Sequence, residues 1–541
     1  MWQLPTKIVK RPVYVSTSGW ALFAKRLIAF AFACLCCAAF FCSDSSAENS
    51  AQSIYSKAIE EHWSWNLDEA INLYTRFLSQ NPNSSQAYFL RGSAFRSKGL
   101  DDKAMADFEK SLEKDPSLVE ASFGKGQMLL QKKRYEKALQ EMNRVLEKSP
   151  GYPGALKIRG EANLGLSRFQ AAADDFSTFM EKVSNDSGAY FDRAIAYQNL
   201  GAMDKAKSDL DRSIELDPAN ESAWYRKGNL LFAGNDPNAA LEAYDRCLKI
   251  DPKNSEALNN RGFVKISLGK LDDGLNDLSK ALEFDPRSER ALINRADVFS
   301  RLGKNNEALK DYESLLKLSK PDAGILVAKA EILLRLGRTE EAIRDLGQAL
   351  SLKPDAIHIV ALRGQAYKLA KQCEKAIQDF NRVLQTDPQD ASTMLDRGSC
   401  LLALKQLKPG ISDIEKALKA DPKLASAGTL YDLAVANLTI RNFQVAADLF
   451  SKVISLTPTN GLAYANRGVA YKDQGRLEEA VSDFRHALTL LEKQTSKDYT
   501  SKLLAETEAT IRARKPKTPS QLMLGENLYP ESGIPSENSL W

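Results

Sequence analysis

Residues 357–390 read IHIVALRGQAYKLAKQCEKAIQDFNRVLQTDPQD. Ile359, Leu362, Ala366 and Leu369 fall at three- and four-residue intervals, and so do Ala376, Phe380 and Val383. That is the period of one face of an α-helix. The spacing predicts a helix over 357–369, a turn over 370–373 and a second helix over 374–384. The second must stop before Asp387-Pro388, because a proline inside a helix costs about 3 kcal/mol or more. Gly364 stands in the middle of the first helix, where glycine costs roughly 0.5–1 kcal/mol relative to alanine. Its place there needs a packing reason.

Outward from this stretch the same pattern returns every 34 residues. The small residue of the first helix recurs as Ala58, Gly92, Gly126, Gly160, Ala194, Gly228, Gly262, Ala296, Ala330, Gly364 and Gly398, then, after a two-residue insertion, as Ala434 and Gly468. A second small residue follows twelve places later, from Ala70 and Ala104 through Ala376 to Ala480. Prolines such as Pro82, Pro116, Pro354 and Pro388 keep the same beat. Self-similarity at this period indicates stacked supersecondary units, thirteen of them between residues 51 and 494. Such an array grows by adding units and needs no separate cores. Paired small residues allow two helices to approach closely. Gly99, Gly201, Gly269, Gly303, Gly337 and Gly475 fall where a left-handed residue would end the first helix.

The array resembles the tetratricopeptide repeat family. Tyr88, Gly92, Phe95, Gly99, Ala104, Phe108 and Pro116 of the second unit fill the family's signature places, and Tyr464, Gly468, Tyr471, Gly475, Ala480, Phe484 and Ala487 do so in the last. The resemblance implies an all-α fold, a right-handed superhelical solenoid of antiparallel helix pairs whose first helices line a concave, ligand-binding groove. Some members clamp a terminal carboxylate with Lys and Asn on successive first helices. Lys157 occupies a suitable place here, but Glu161 stands where the Asn would be, which puts that clamp in doubt.

Comparison between units adds a second regularity. The residue before the first small position is basic in twelve of thirteen units, and in ten an acid stands sixteen places later, as in Arg91 with Asp107, Arg261 with Asp277 and Arg363 with Asp379. The twelfth unit replaces both partners, with Leu433 and Leu449. Joint replacement points to contact between the two helices of a unit. A half-removed buried pair costs more than a fully removed one. The acids therefore read as structural partners and not as a row of catalytic carboxylates.

Of 74 basic and 70 acidic residues, five and one lie before position 48, leaving 69 of each. A neutral body lacks the basic excess that phosphate neutralisation requires, which argues against nucleic acid as a partner. Leu27 to Cys42 is a 16-residue apolar stretch with Arg26 before it and Ser45-Ser46-Ala47 after it. Residues 1–47 thus read as a signal peptide, cut after Ala47, or as a signal anchor held in the membrane through 27–42. Either way the body is expected to be exported, to the periplasm, the cell envelope or the medium. Four of the seven cysteines belong to that leader. Cys247, Cys373 and Cys400 form no CxxC pair, so no disulfide framework or zinc cluster is expected.

Beyond the array at 48–494, Tyr499, Leu503, Thr507 and Ile511 share one helical face, suited to a capping helix over 495–514. Residues 515–541 show no period and read as a flexible tail. His62, His358 and His486 lie in distant units, no phosphate-binding loop is present, and neither an enzyme nor a cofactor is expected. The candidate site is the groove. At a position that the resemblance implies faces it stand Tyr55, Phe89, Phe123, Phe191 and Tyr225, with Gln127, Glu161 and Asn229 as a polar fringe. The aromatic row is either core packing or a surface for an extended peptide. The expected function is an exported, non-enzymatic scaffold that binds a protein or peptide segment in the groove. The alternative is an architectural spacer whose ends or convex face make the contacts.

Overall fold

The computed structural model describes residues 46–318 and 320–514. The expected leader, apart from Ser46 and Ala47, and the expected tail at 515–541 lie outside the described residues. Among the described residues there are twenty-seven α-helices, one turn of 3-10 helix at Pro422–Leu424 and no strand. Twenty-six helices form thirteen pairs, one pair per unit, here called helix A and helix B of repeats 1 to 13. Repeat 10 has helix A at Ile357–Leu369 and helix B at Cys373–Thr386, close to the spans expected. Helix A packs along helix B of its own repeat, and within each of two compact bodies helix B packs against the following helix A. Repeats 1 to 7 make one compact body, ending at Phe284, and repeats 8 to 13 with the last helix make a second.

The turn between the helices is the same in all thirteen repeats. The six expected glycines have φ between 70° and 79°. In the other seven repeats Trp65, Lys133, Ser167, Asn235, Lys371, Lys405 and Arg441 occupy that place with φ between 57° and 65°. A left-handed residue with a Cβ costs roughly 1–2 kcal/mol. Its persistence without glycine means that the packing of the two helices dictates the turn.

The helical glycines have a packing partner in addition to the small residue expected. A Cβ on Gly364 would come within 2.7 Å of the Phe380 ring, and one on Gly228 within 2.6 Å of the Tyr244 ring. The notch therefore receives the large side chain sixteen places later. The second small residue matters more directly in repeats 7 and 11, where a Cβ on Gly262 or Gly398 would meet a backbone oxygen at 3.0 Å. Phe108, Phe176, Tyr244, Phe380 and Phe484, which fill these notches, are almost wholly buried. Each contributes about 2–3 kcal/mol of apolar burial.

All ten expected ion pairs are formed, at 2.6–3.2 Å. The arginines grip their carboxylates with two N–H groups: Arg363 donates from Nε to Asp379 at 2.8 Å and from Nη2 at 2.7 Å. Burial would push the Asp277 carboxyl up, but Arg261 and Lys265 both donate to it and hold it below the usual carboxylate range. Many of these basic groups also reach back to helix B of the preceding repeat. Arg261 meets Asp245 at 2.7 Å, Arg397 meets Asn381 at 2.8 Å and Arg467 meets Ser451 at 3.0 Å. Lys227, whose own repeat offers only Ala243, pairs instead with Asp211 at 2.6 Å. The ladder thus ties repeats together as well as helices. In repeat 12, Leu433 and Leu449 are buried in one apolar cluster.

Both ends are finished with polar surface. Gln52, Ser53, Ser56, Lys57 and Glu60 of the first helix, Ser46–Trp63, are exposed. The last helix, Gln494–Arg514, packs against helix B of repeat 13, Leu477–Leu490. Its buried face departs from the expected one: Ser496, Thr500 and Thr507 are buried, whereas Tyr499 is 47% exposed. The seam admits small side chains and turns the phenol ring outward. Among the described residues no helix is long and apolar enough to cross a membrane.

Candidate functional site

Helix A places its fifth residue against helix B of the same repeat, and this decides the fate of the aromatic row. Tyr55 stacks on Phe77 with ring centroids 4.6 Å apart, and Phe89 and Tyr225 lie 6.0 and 6.3 Å from Phe108 and Tyr244. Tyr55, Phe123 and Phe191 are buried, Phe191 to 2% exposure, while Phe89 and Tyr225 are half-buried. The rings hold helix A to helix B and leave a thin strip of surface. The polar residues Gln127, Glu161 and Asn229, one helical turn further along, are half-buried, and Gln127 and Asn229 bond to neighbouring helices A.

Three polar clusters follow along this face. Arg96, in helix A of repeat 2 (Ser85–Ser97), donates to Gln127 of repeat 3 (Val119–Gln131) at 2.6 Å. Burial lowers its pKa to about 10, with Asp101 opposing. In repeats 4 and 5, Lys157 of Pro153–Gly165 pairs at 2.6 Å with Asp186, which also caps the helix Ser187–Asn199 by accepting from the Ala189 N–H. Glu161 lies one turn beyond Lys157, facing Asp192 and Asp186. It is packed closely by protein yet keeps a partial opening to solvent. Burial, then the charge of Asp192, then that of Asp186, push its carboxyl up to about 8 against the pull of Lys157.

The third cluster spans repeats 5 to 7. Arg226 donates to Gln198 at 3.3 Å with its guanidinium 5.5 Å from the Phe191 ring centre. Asn260 donates to Asn229 at 2.8 Å and to the Tyr225 hydroxyl at 3.2 Å, and the Tyr244 hydroxyl donates to the same Asn229 oxygen at 2.7 Å. Asn229 is therefore a shared acceptor that draws repeats 6 and 7 together.

Sequence reasoning missed Arg96, Asp186, Asp192, Arg226 and Asn260. The signal was available for Arg96: extending the face from residues 89 and 93 of its helix by another turn arrives at residue 96. The arrangement offers hydrogen-bond donors and acceptors and an acidic cluster around one lysine. It assembles no nucleophile with a base, and among the described residues no group of three His, Cys, Asp or Glu side chains could hold a metal ion.

Tetratricopeptide repeat family models match residues 66–119, 106–153, 187–220, 222–254, 243–276, 293–357 and 449–482. No curated protein matches the chain. Among solved structures, it is similar to YrrB, a TPR protein with an unusual peptide-binding site, at 24% identity over 34% of this chain and 95% of that one, with a TM-score of 0.32. It is similar to a tetratricopeptide repeat protein from Parabacteroides merdae ATCC 43184 at 22% identity over 46% and 98%, with a TM-score of 0.36. The APC/C hetero-tetramer Cut9-Hcn1 is 14% identical over 84% and 96%, with a TM-score of 0.33. With the helix pair recurring thirteen times and these models matching along about half of the chain, the chain belongs to the tetratricopeptide repeat family, whose members are generally non-enzymatic scaffolds for protein–protein interaction.

Proposed function

We propose that this chain is an exported, non-enzymatic scaffold that binds an extended segment of another protein along the helix-A face of repeats 1 to 7, and that a lysine or arginine of that segment is received beside Glu161 and Asp192. The observation that carries this reading is the Glu161 carboxyl, held among two aspartates with one lysine and kept open to the face. A cation there would oppose the burial and the aspartate charges that raise the Glu161 carboxyl. Gln127, Asn229 and Asn260 supply the donors and acceptors that an extended backbone needs. Phe89 and Tyr225 present ring edges beside them, while Tyr55, Phe123 and Phe191 act from beneath by fixing the helices. Export rests on the leader pattern at 27–42 and on residues 45–47, with the body released by cutting after Ala47 or anchored through 27–42. The polar ends of the array favour the groove over the spacer alternative, because an end that stacks on a partner needs apolar surface.

The test is a basic extended peptide titrated into the full chain. Glu161→Gln should weaken binding about tenfold, equivalent to about 1.4 kcal/mol. The pH dependence has a definite sign. A carboxyl near 8 is mostly protonated at neutral pH, so a cationic ligand draws it into the ionised form and binding releases a proton. Affinity should rise from about pH 6 to about pH 8 and the rise should vanish in Glu161→Gln. Equal affinity of wild type and the Glu161→Gln, Asp192→Asn pair for the captured partner would transfer the contact to the ends or the convex face.

A further inference from the structure

The described residues contain three free cysteines, all buried. Two of them meet. Cys373 is the first residue of helix B of repeat 10, and Cys400 lies within helix A of repeat 11, Ala391–Ala403. They share one small cluster with Ala376 and Phe380, and the two thiols are within hydrogen-bonding reach of each other. The same two register places hold Tyr135 with Ala162 and Phe169 with Ala196 in repeats 3 to 5, inside a single core cluster. The contact is therefore a constant of the stacking, and repeats 10 and 11 alone among the described repeats fill both sides of it with thiols.

We infer that Cys373 and Cys400 are an oxidation site at which a disulfide-bearing oxidant closes a covalent staple between repeats 10 and 11. The two sulfurs divide the chemistry by exposure, 9% for Cys373 and 1% for Cys400. Cys373, on the rim, loses its proton and attacks the oxidant's disulfide, expelling one small thiolate that takes up a proton. Cys400 then loses its proton, attacks the Cys373 sulfur of the mixed disulfide and expels the second small thiol. Two protein thiols and one disulfide become one protein disulfide and two thiols, with no other reactant. Burial and the neighbouring Cys373 push the Cys400 thiol up to about 12, which makes the second step the slow one. The same burial shields the finished bond from a reductant. No residue of the ligand-binding face takes part, so this staple stands independently of the proposed function.

The experiment is incubation of the reduced full chain with oxidised glutathione, followed by alkylation in denaturant and peptide mapping without reductant. The expected product joins the Cys373 and Cys400 peptides, lighter by two hydrogen atoms, with Cys247 alkylated. Cys400→Ala, which places alanine where repeats 4 and 5 already carry it, should instead leave Cys373 as a stable glutathione adduct. Phenylarsine oxide, which bridges adjacent thiols, should protect both cysteines in the wild type and leave the remaining Cys400 unprotected in Cys373→Ala. Recovery of both peptides alkylated after oxidation would overturn the staple, as would a lasting glutathione adduct on Cys373 of the wild type, or linkage of Cys373 to any other cysteine.

Discussion

Repeats 10 and 12 solve one packing problem in two ways. Repeat 10 sets Arg363 against Asp379 at 2.7 Å, with the aspartate side chain 4% exposed. Repeat 12 sets Leu433 against Leu449, both buried, in a cluster with Leu430, Ala447 and Phe450. The helix lengths are identical in the two repeats, 13 and 14 residues. The difference teaches that the slot between helices A and B takes an ionic or an apolar pair. Half of one, as in Lys227 beside Ala243, draws its acid from the preceding repeat, Asp211 at 2.6 Å, and repeat 10 carries Gly347 at that place.

The largest effect should come from making that half. Asp379→Ala leaves the half-buried Arg363 guanidinium beside the Tyr367 ring, 5.7 Å from its centre, with its carboxylate gone. The expected loss is about 3–5 kcal/mol. Urea denaturation followed by tyrosine fluorescence measures it, and amide exchange should localise the loss to repeats 9 to 11. A change below about 0.5 kcal/mol, the range of ordinary surface substitutions, would break the comparison at its root.

A smaller effect separates the two repeats at the notch. Repeat 12 carries Ala434 where repeat 10 carries Gly364, and Ala434 is fully buried. In repeat 10 the added methyl would press the Phe380 ring at 2.7 Å. Gly364→Ala should therefore destabilise by about 1–2 kcal/mol, the overpacking cost less the gain in helix propensity. The reverse change, Ala434→Gly, opens a gap and removes propensity, so it should also destabilise, by about 1 kcal/mol. Paired urea midpoints decide whether each repeat is fitted to its own small residue.

The turn should respond with the opposite sign. Lys371 in repeat 10 and Arg441 in repeat 12 are left-handed, at φ 58° and 65°. Lys371→Gly relieves about 1 kcal/mol of strain and returns part of it through the freer unfolded chain. A raised urea midpoint is expected in either repeat, and a lowered one would mean that the Lys371 side chain contributes a contact.

The frame was legible in the sequence because it repeats. Gly99, Pro116 and the Arg91–Asp107 spacing recur in register, so thirteen copies vote on each place. The seven left-handed residues without glycine escaped notice because no one residue type marks them, only the three lysines Lys133, Lys371 and Lys405 being alike, although all share a position with Gly99. The backward reach of the ladder was hidden for the same reason. Its acceptors vary among Thr75, Asn143, Ser177, Asp211 and Asp245, so no single residue type marks the place. The helix-A face of repeats 1 to 7 is the extreme case. Glu161, Arg226 and Asn260 acquire meaning only from neighbours on the next helix, and those neighbours vary by design of the stack: the face is where repeats are free to differ. The aromatic row was readable as a row, but its direction depended on helix B, and Phe191 turned inward where a surface was one of two options.

The smallest expected effect carries the comparison furthest. Arg363→Leu with Asp379→Leu transplants the repeat 12 solution into repeat 10. Repeat 10 suits this because the place sixteen residues before Arg363 is Gly347, so no side chain there ties this arginine to repeat 9, in contrast to Arg397 with Asn381. Only the pair within the repeat is exchanged. Replacement of a buried ion pair by apolar side chains of similar size is often neutral, so the double variant should unfold within about 1 kcal/mol of wild type while each single change to leucine costs several times more. The coupling between the two sites, read from the four urea midpoints, should then be large and favourable to the matched states. If the double variant is as damaged as Asp379→Ala, the slot is not indifferent. Repeat 12 would then hold its leucines only because Leu430, Ala447 and Val453 around them are already apolar, and the ladder elsewhere would be a local requirement of each repeat's own surroundings.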